Sequence, residues 1–210
     1  MTFGKDYWNQ HWQPTTTGME RNPPNPYLVN ATTTFTPGTA LDAGCGAGAE
    51  AIWLASQGWQ VTAADISRTA LDKAISRAAG LPINWLEADL TVWTPDTQYD
   101  LVTTHYAHPT IPQLAFYQRL STWVAPGGTL LLVGHGHAPD PSHGHTHGHG
   151  HGRVEHFPAE ASVSLADITA GLDDAQWEIL AAGEHTRTFP GREGGLRDVV
   201  VQATLKPRKS

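Results

Sequence analysis

At 210 residues, 40% of them hydrophobic, the chain is long enough for one domain with a sizeable core. A net charge of −7, with the only basic cluster at Lys206, Arg208 and Lys209, argues against a nucleic-acid surface, because such binding draws on clustered Lys and Arg. No apolar run is long enough to span a membrane, and a single cysteine, Cys45, leaves no internal disulfide, which suits a reducing cytoplasm.

Residues 1–37 read as a helical arm ahead of the main domain. Tyr7, Trp8 and Trp12 fall on one side of a short helix, and a polar, proline-rich stretch runs from Pro14 to Pro26. A second helix is predicted over Tyr27 to Phe35, before a Pro37-Gly38 turn. The opening MTFGKDYWNQHW lacks the basic-then-apolar order of a signal peptide.

From residue 38 the pattern changes. Thr39, Ala40 and Leu41 form an apolar run that ends in Asp42, and Gly44-Cys45-Gly46-Ala47-Gly48 follows. Ala51, Ile52, Leu54, Ala55 and Trp59 recur at helical spacing, with Gly58 at a C-cap position. A second apolar run, Val61 to Ala64, ends in Asp65. Strand, glycine turn, helix, strand and acid make a βαβ unit for a nucleoside-bearing ligand: glycines let the backbone approach it, and the acid accepts from ribose hydroxyls. Gly44, Gly46 and Ala49 satisfy the dinucleotide fingerprint in permissive form, which keeps an NAD(P)-binding oxidoreductase as the alternative. Asp42 would repel a pyrophosphate, and a ligand with a cationic amino-acid end suits it better. Cys45, among the glycines, reads as a small buried filler.

Ser67 is an N-cap for a helix over Arg68 to Ala79, ended by Gly80 and Pro82. Ile83 to Leu86 is a third strand, followed by Asp89 and Leu90; Asp42, Asp65 and Asp89 lie 23 and then 24 residues apart, each a strand-helix repeat. Tyr99 to Thr104 is a fourth strand running into His105, Tyr106 and His108, and ligands of open parallel sheets bind outside such strand ends. His105 and His108 are therefore the candidates for acid-base chemistry near neutral pH. A helix over Ile111 to Val124 and an Ala125-Pro126-Gly127-Gly128 turn lead into a fifth strand, Thr129 to Val133.

A low-complexity loop spans 134–156 and holds eight of the chain's 12 histidines. His143, His145, His147, His149 and His151 alternate, a pattern with affinity for zinc or nickel through neutral imidazole. His135 and His137 instead sit at the fifth strand's tip. A helix over Phe157 to Leu172, a strand from Trp177 to Ala182, a turn at Gly191 to Gly195 and a strand from Arg197 to Leu205 finish the chain, the last two strands forming an antiparallel hairpin.

The run D-x-G-x-G-x-G from Asp42 to Gly48, then Asp65, Asp89, Tyr99-Asp100-Leu101-Val102 and the Pro126-Gly127-Gly128 turn, resembles class I methyltransferases that use S-adenosylmethionine (SAM). The resemblance covers about residues 38 to 205 and implies a Rossmann-like three-layer αβα sandwich. Its seven-stranded sheet is mostly parallel, with the last strand antiparallel. It implies that Gly44 and Gly46 hold the methionine end, that Asp42 supports the ammonium, and that Asp65 takes the ribose hydroxyls with Ile66 beside it. Asp89 and Leu90 then read the adenine, His105 flanks the methionine part, and the arm, through Trp8, Trp12, Asn25 and Tyr27, covers the cofactor. A closer likeness to the tellurite-resistance and thiopurine group implies a small-molecule acceptor (a thiol, metalloid or other small nucleophile); the acidic balance speaks against a nucleic-acid partner, and the assembly is left as monomer or homodimer. A metal-binding protein on a methyltransferase scaffold is the third reading.

Overall fold

The computed structural model describes residues 3–13, 22–136, 163–187 and 196–207. In chain order the strands are β1 (Thr39–Ala43), β2 (Gln60–Asp65), β3 (Ile83–Glu87), β4 (Tyr99–His105), β5 (Val124–His135), β6 (Trp177–Arg187) and β7 (Leu196–Leu205). The helices are α1 (Lys5–His11), α2 (Pro26–Thr32), α3 (Ala49–Ser56), α4 (Arg68–Arg77), α5 (Gln113–Ser121) and α6 (Leu165–Ala170). All seven strands join one sheet in the order β3-β2-β1-β4-β5-β7-β6. β1 to β5 are parallel, and β7 runs antiparallel to both β5 and β6. This is the expected sandwich with its reversed last strand.

Alternation along the central strands builds both layers. Leu101 and Leu131 face Leu28, Ala51, Leu54 and Leu71, so α2, α3 and α4 cover one side. Val102 and Leu132 face Phe116, Leu120 and Ile168, so α5 and α6 cover the other. Burial on both faces is why these strands are apolar throughout. Leu54 and Leu120 are fully buried, and truncating either to Ala would cost about 2–5 kcal/mol. Because Leu28 belongs to this core, α2 is part of the domain body, whereas α1 contributes no buried residue. No helix among the described residues is long and apolar enough to cross a membrane.

Several boundaries differ from the sequence expectation, each for a local reason. α2 starts at Pro26 because the Asn25 side chain accepts from Tyr27 N–H at 3.0 Å, and it stops within the β-branched run Thr32-Thr33-Thr34. α5 starts at Gln113, after Pro112. Of the helix expected from Phe157, residues 157–162 lie outside the described residues. Helical structure begins only at Leu165, where Ser164 Oγ accepts from Asp167 N–H at 3.0 Å. β6 runs on to Arg187 because β7 pairs with it from Trp177↔Leu205 to Arg187↔Leu196.

Candidate active site

β1 is paired with β2 on one side and β4 on the other, so the order of connection across the sheet reverses at it. At such a switch point the loops after two neighbouring strands diverge and leave a crevice at their carboxyl ends. Here the glycine turn after β1 faces the loop after β4. A Cβ on Gly44 would lie 2.5 Å from the Ala107 Cβ, and Gly44 has φ +80°, so only glycine fits. Along this junction runs a cleft of about 790 Å³.

One end of the cleft is acidic. Glu50, in the first turn of α3, and Asp65, at the tip of β2, line it. Asp65 Oδ2 accepts from Gly46 N–H at 2.8 Å and Oδ1 from Ser67 N–H at 2.8 Å. Each oxygen keeps a lone pair for a further donor. Burial raises the Asp65 pKa, against the pull of the backbone donors Ser67, Gly46 and Ile66. Asp42, which ends β1 with Ala43, is 1% exposed and does not itself line the cleft. Its Oδ2 has no hydrogen-bond partner among the described residues. Burial holds this carboxyl well above the usual range; Glu50 adds to the shift, the Ala51 backbone donor opposes it and Asp65 adds again. Arg77 is the one Lys or Arg among the described lining residues, and its guanidinium is engaged by the Ala47 and Asn22 carbonyls at 2.7 and 3.3 Å. This end is built for positive charge.

Asp89, Leu90 and Ile66 line the cleft as expected. Asp89 Oδ1 accepts from Thr91 N–H at 2.9 Å and from its hydroxyl at 2.7 Å, which fixes the carboxylate at the end of β3. Cys45 is 5% exposed, and burial followed by the charges of Asp65, Asp42 and Glu50 pushes its thiol pKa up, so it is the inert filler expected.

Rings wall the other end. His108 stacks against Trp8 (centroids 6.3 Å, interplanar 13°) on α1 and against His135 (5.4 Å, 16°) at the tip of β5. Tyr106 meets His135 at 4.8 Å and Phe3 meets His108 at 5.8 Å. Tyr106 has φ +55°, a left-handed conformation uncommon for a bulky residue and of the kind that collects at functional sites. Burial and then His135 push the His108 pKa down to about 4, against Gln113. His105 is also lowered, by burial, with Glu50 opposing.

The arm joins both ends. Trp12 lies on the glycine turn, where a Cβ on Gly46 would come 2.9 Å from its ring. Asn9 Oδ1 accepts from Ser67 Oγ at 2.9 Å, Lys5 pairs with Glu87, and Asn25 N–H donates to Glu50 at 3.0 Å. Trp8, Trp12 and Asn25 thus line the cleft, while Tyr27 lies outside it with its ring 5.2 Å from that of His185. Glu50, Phe3, His11 and Arg77 escaped the sequence reading. For Glu50 the signal was there: an acid one residue into the helix that follows the glycine turn. His143, His145, His147, His149 and His151 lie outside the described residues, and among the described ones no three His, Cys, Asp or Glu side chains gather as a metal site.

A family model described as a methyltransferase domain matches residues 40–128. A Mycobacterium tuberculosis protein named as an uncharacterized methyltransferase is 41% identical over 95 residues, 44% of this chain. Probable thiol methyltransferase 2 of Arabidopsis thaliana is 28% identical over 133 residues, 59% of this chain. The chain spans about half the length of the relatives it matches, 48% of the first and 59% of the second. Among solved structures, magnesium protoporphyrin IX methyltransferase from Synechocystis PCC 6803 with bound SAM shares the fold. Its TM-score is 0.62 at 20% identity, over 96% of this chain and 95% of that one. SAM suits the cleft on its own terms: its cationic amino-acid end fits the side lined by Glu50, beside the buried carboxyl of Asp42. The antiparallel β6–β7 end, in place of another βαβ unit, agrees with that assignment over a nicotinamide one. Residues 40–128 thus match a methyltransferase domain, and the chain around them has the fold of the SAM-bound Synechocystis enzyme.

Proposed function

We propose that this chain methylates a small, neutral acceptor through a soft atom, with thiols the first class. The observation that carries the reading is the division of the cleft: carboxylates at one end, a column of stacked rings at the other. Asp65 accepts from the ribose hydroxyls, Asp89, Leu90 and Ile66 surround the adenine, and the Gly44 and Gly46 backbone with Asp42 receives the methionine end. The bound cofactor supplies an electrophilic methyl group on a sulfonium. The protein's part is to align the acceptor with it and keep water out.

The ring column narrows the acceptor class. Without a free cation in the described lining, an anionic acceptor gains nothing there, whereas flat or polarisable groups gain contact with Trp8 and Tyr106. His108, with its pKa near 4, is a weak base. Alcohols and amines that need strong proton removal are poorly served, and thiols or selenols, neutral on binding and nucleophilic through a readily formed anion without a strong base, are well served. The arm, through Trp8 and Trp12, closes over both ligands.

Thermal-shift titration tests the reading, with SAM and S-adenosylhomocysteine as ligands, NAD as control and a chelator series alongside. A ligand at 100 times its Kd adds about 2.7 kcal/mol, a visible rise in Tm. A rise with the SAM pair alone supports the reading and opens a thiol screen. A rise with NAD alone restores the oxidoreductase, and a response only to metal restores the metal-binding reading.

A further inference from the structure

Thr103 is fully buried in β4, two residues before His105 on the same face of the strand. Its Oγ1 lies 2.7 Å from His105 Nε2. Among the described residues His105 Nδ1 is buried without a hydrogen-bond partner, and His105 belongs to the lining of the cleft.

Counting protons decides the direction of this contact. A neutral imidazole carries one N–H and one lone pair, and a hydroxyl has one proton to give. If Nε2–H donated to Thr103, the buried hydroxyl proton would have no acceptor and the Nδ1 lone pair no donor. If Thr103 donates to Nε2, both are satisfied and only Nδ1–H is left over. The second arrangement leaves one buried group unpaired rather than two, a difference of some kcal/mol. Burial lowers the His105 pKa, which keeps the ring neutral at neutral pH.

We infer that Thr103 is a positioning residue that locks His105 as the Nδ1–H tautomer, so that His105 is a hydrogen-bond donor to the cofactor's carboxylate and not a base. The inference rests on the methyltransferase reading of the cleft. An amino-acid end needs acceptors for its ammonium and a donor for its carboxylate. Glu50, in the lining of the cleft, provides the first. Arg77 is held by the Ala47 and Asn22 carbonyls, so His105 Nδ1–H, at the wall of the same cleft, provides the second. With Nε2 capped by a buried hydroxyl, His105 has no free lone pair to take a proton from an acceptor.

Histidine-15N NMR of the ligand-free protein reads the tautomer directly. The expected spectrum has His105 protonated at Nδ1. Protonation at Nε2, with the Thr103 hydroxyl turned to Asp42 on the neighbouring strand, overturns the inference. Thr103→Val is isosteric and Thr103→Ser keeps the hydroxyl. Wild type should bind SAM at least about tenfold more tightly than decarboxylated SAM; Thr103→Val should lose most of that preference and its single tautomer, and Thr103→Ser should restore both. A Thr103→Val protein that keeps both sinks the inference and leaves the methyltransferase reading standing. Failure of wild type to bind either ligand sinks the methyltransferase reading and the carboxylate role with it, while the NMR spectrum still decides the tautomer.

Discussion

Gly46 N–H donates to Asp65 Oδ2 at 2.8 Å, which ties the turn after β1 to the acid that ends β2. Two stretches that the sequence separates by a whole helix therefore form one surface. Asp65→Ala removes that bond and the one to Ser67 N–H. Each loss leaves a backbone donor short, at about 1–3 kcal/mol if it stays buried. We expect a lower Tm, and SAM affinity at least tenfold weaker by calorimetry. Unchanged affinity would show that Asp65 does not meet the ribose.

Asp42 carries a cost of a different sign. Its folded pKa is raised, so between the ordinary carboxylate value and the raised one the native state holds a proton that the unfolded state has lost. Stability therefore falls as pH rises through that window. Asp42→Asn should remove this slope, making the ligand-free protein more stable than wild type at pH 7. The same change should weaken SAM binding. Denaturant melts between pH 4 and 8, with and without SAM, read both effects; an Asn variant less stable at pH 7 would refute the first.

His108 tilts the curve the other way. Its folded pKa, near 4, lies below the ordinary 6.5, so wild type loses stability as pH falls from 6.5 toward 4, by at most about 3 kcal/mol. In His108→Phe this acid-side loss should vanish while the ring contacts to Trp8 and His135 persist. A variant whose melting curve tracks wild type down to pH 4 would argue that His108 is already accessible to protons.

Gly44→Ala meets Ala107 Cβ at 2.5 Å and a left-handed backbone. The backbone strain alone costs about 1–2 kcal/mol, and displacement of the loop after β4 should abolish tight SAM binding. Adding Ala107→Gly removes the collision but not the strain, so the double variant should recover part of the affinity. No recovery would place the defect in the turn itself.

Much of this site was legible in the sequence. Asp42, Gly44, Gly46, Asp65, Asp89 and Leu90 follow a one-dimensional rule, since each stands at a strand's carboxyl end and strand ends announce themselves by apolar runs closing in an acid or glycine. The ring column was not legible as a unit. Trp8, His108 and His135 come from an arm, a loop and a strand tip up to 127 residues apart, and nothing in their local sequence says that they stack. Thr103 reads as an ordinary β-branched strand residue, and only its distance to His105 marks it.

Trp8 and Trp12, four residues apart on the arm, should separate by assay. Trp12→Ala, losing the contact with the Gly46 turn, should weaken SAM binding about three- to tenfold with the acceptor KM little changed. Trp8→Ala should raise the acceptor KM by a similar factor with SAM affinity nearly intact. Equal effects of both variants on both constants would show that the arm acts as one body.

α1 buries no residue of its own, and its ties run to Glu87 at the tip of β3, to Ser67 and to the glycine turn rather than into the core. Peeling it away leaves the core intact but uncovers both ends of the cleft at once. On the reading proposed above, ligands beneath the arm exchange only when it is displaced. If that displacement limits turnover, raising solvent viscosity should slow it more than changing the acceptor's nucleophile.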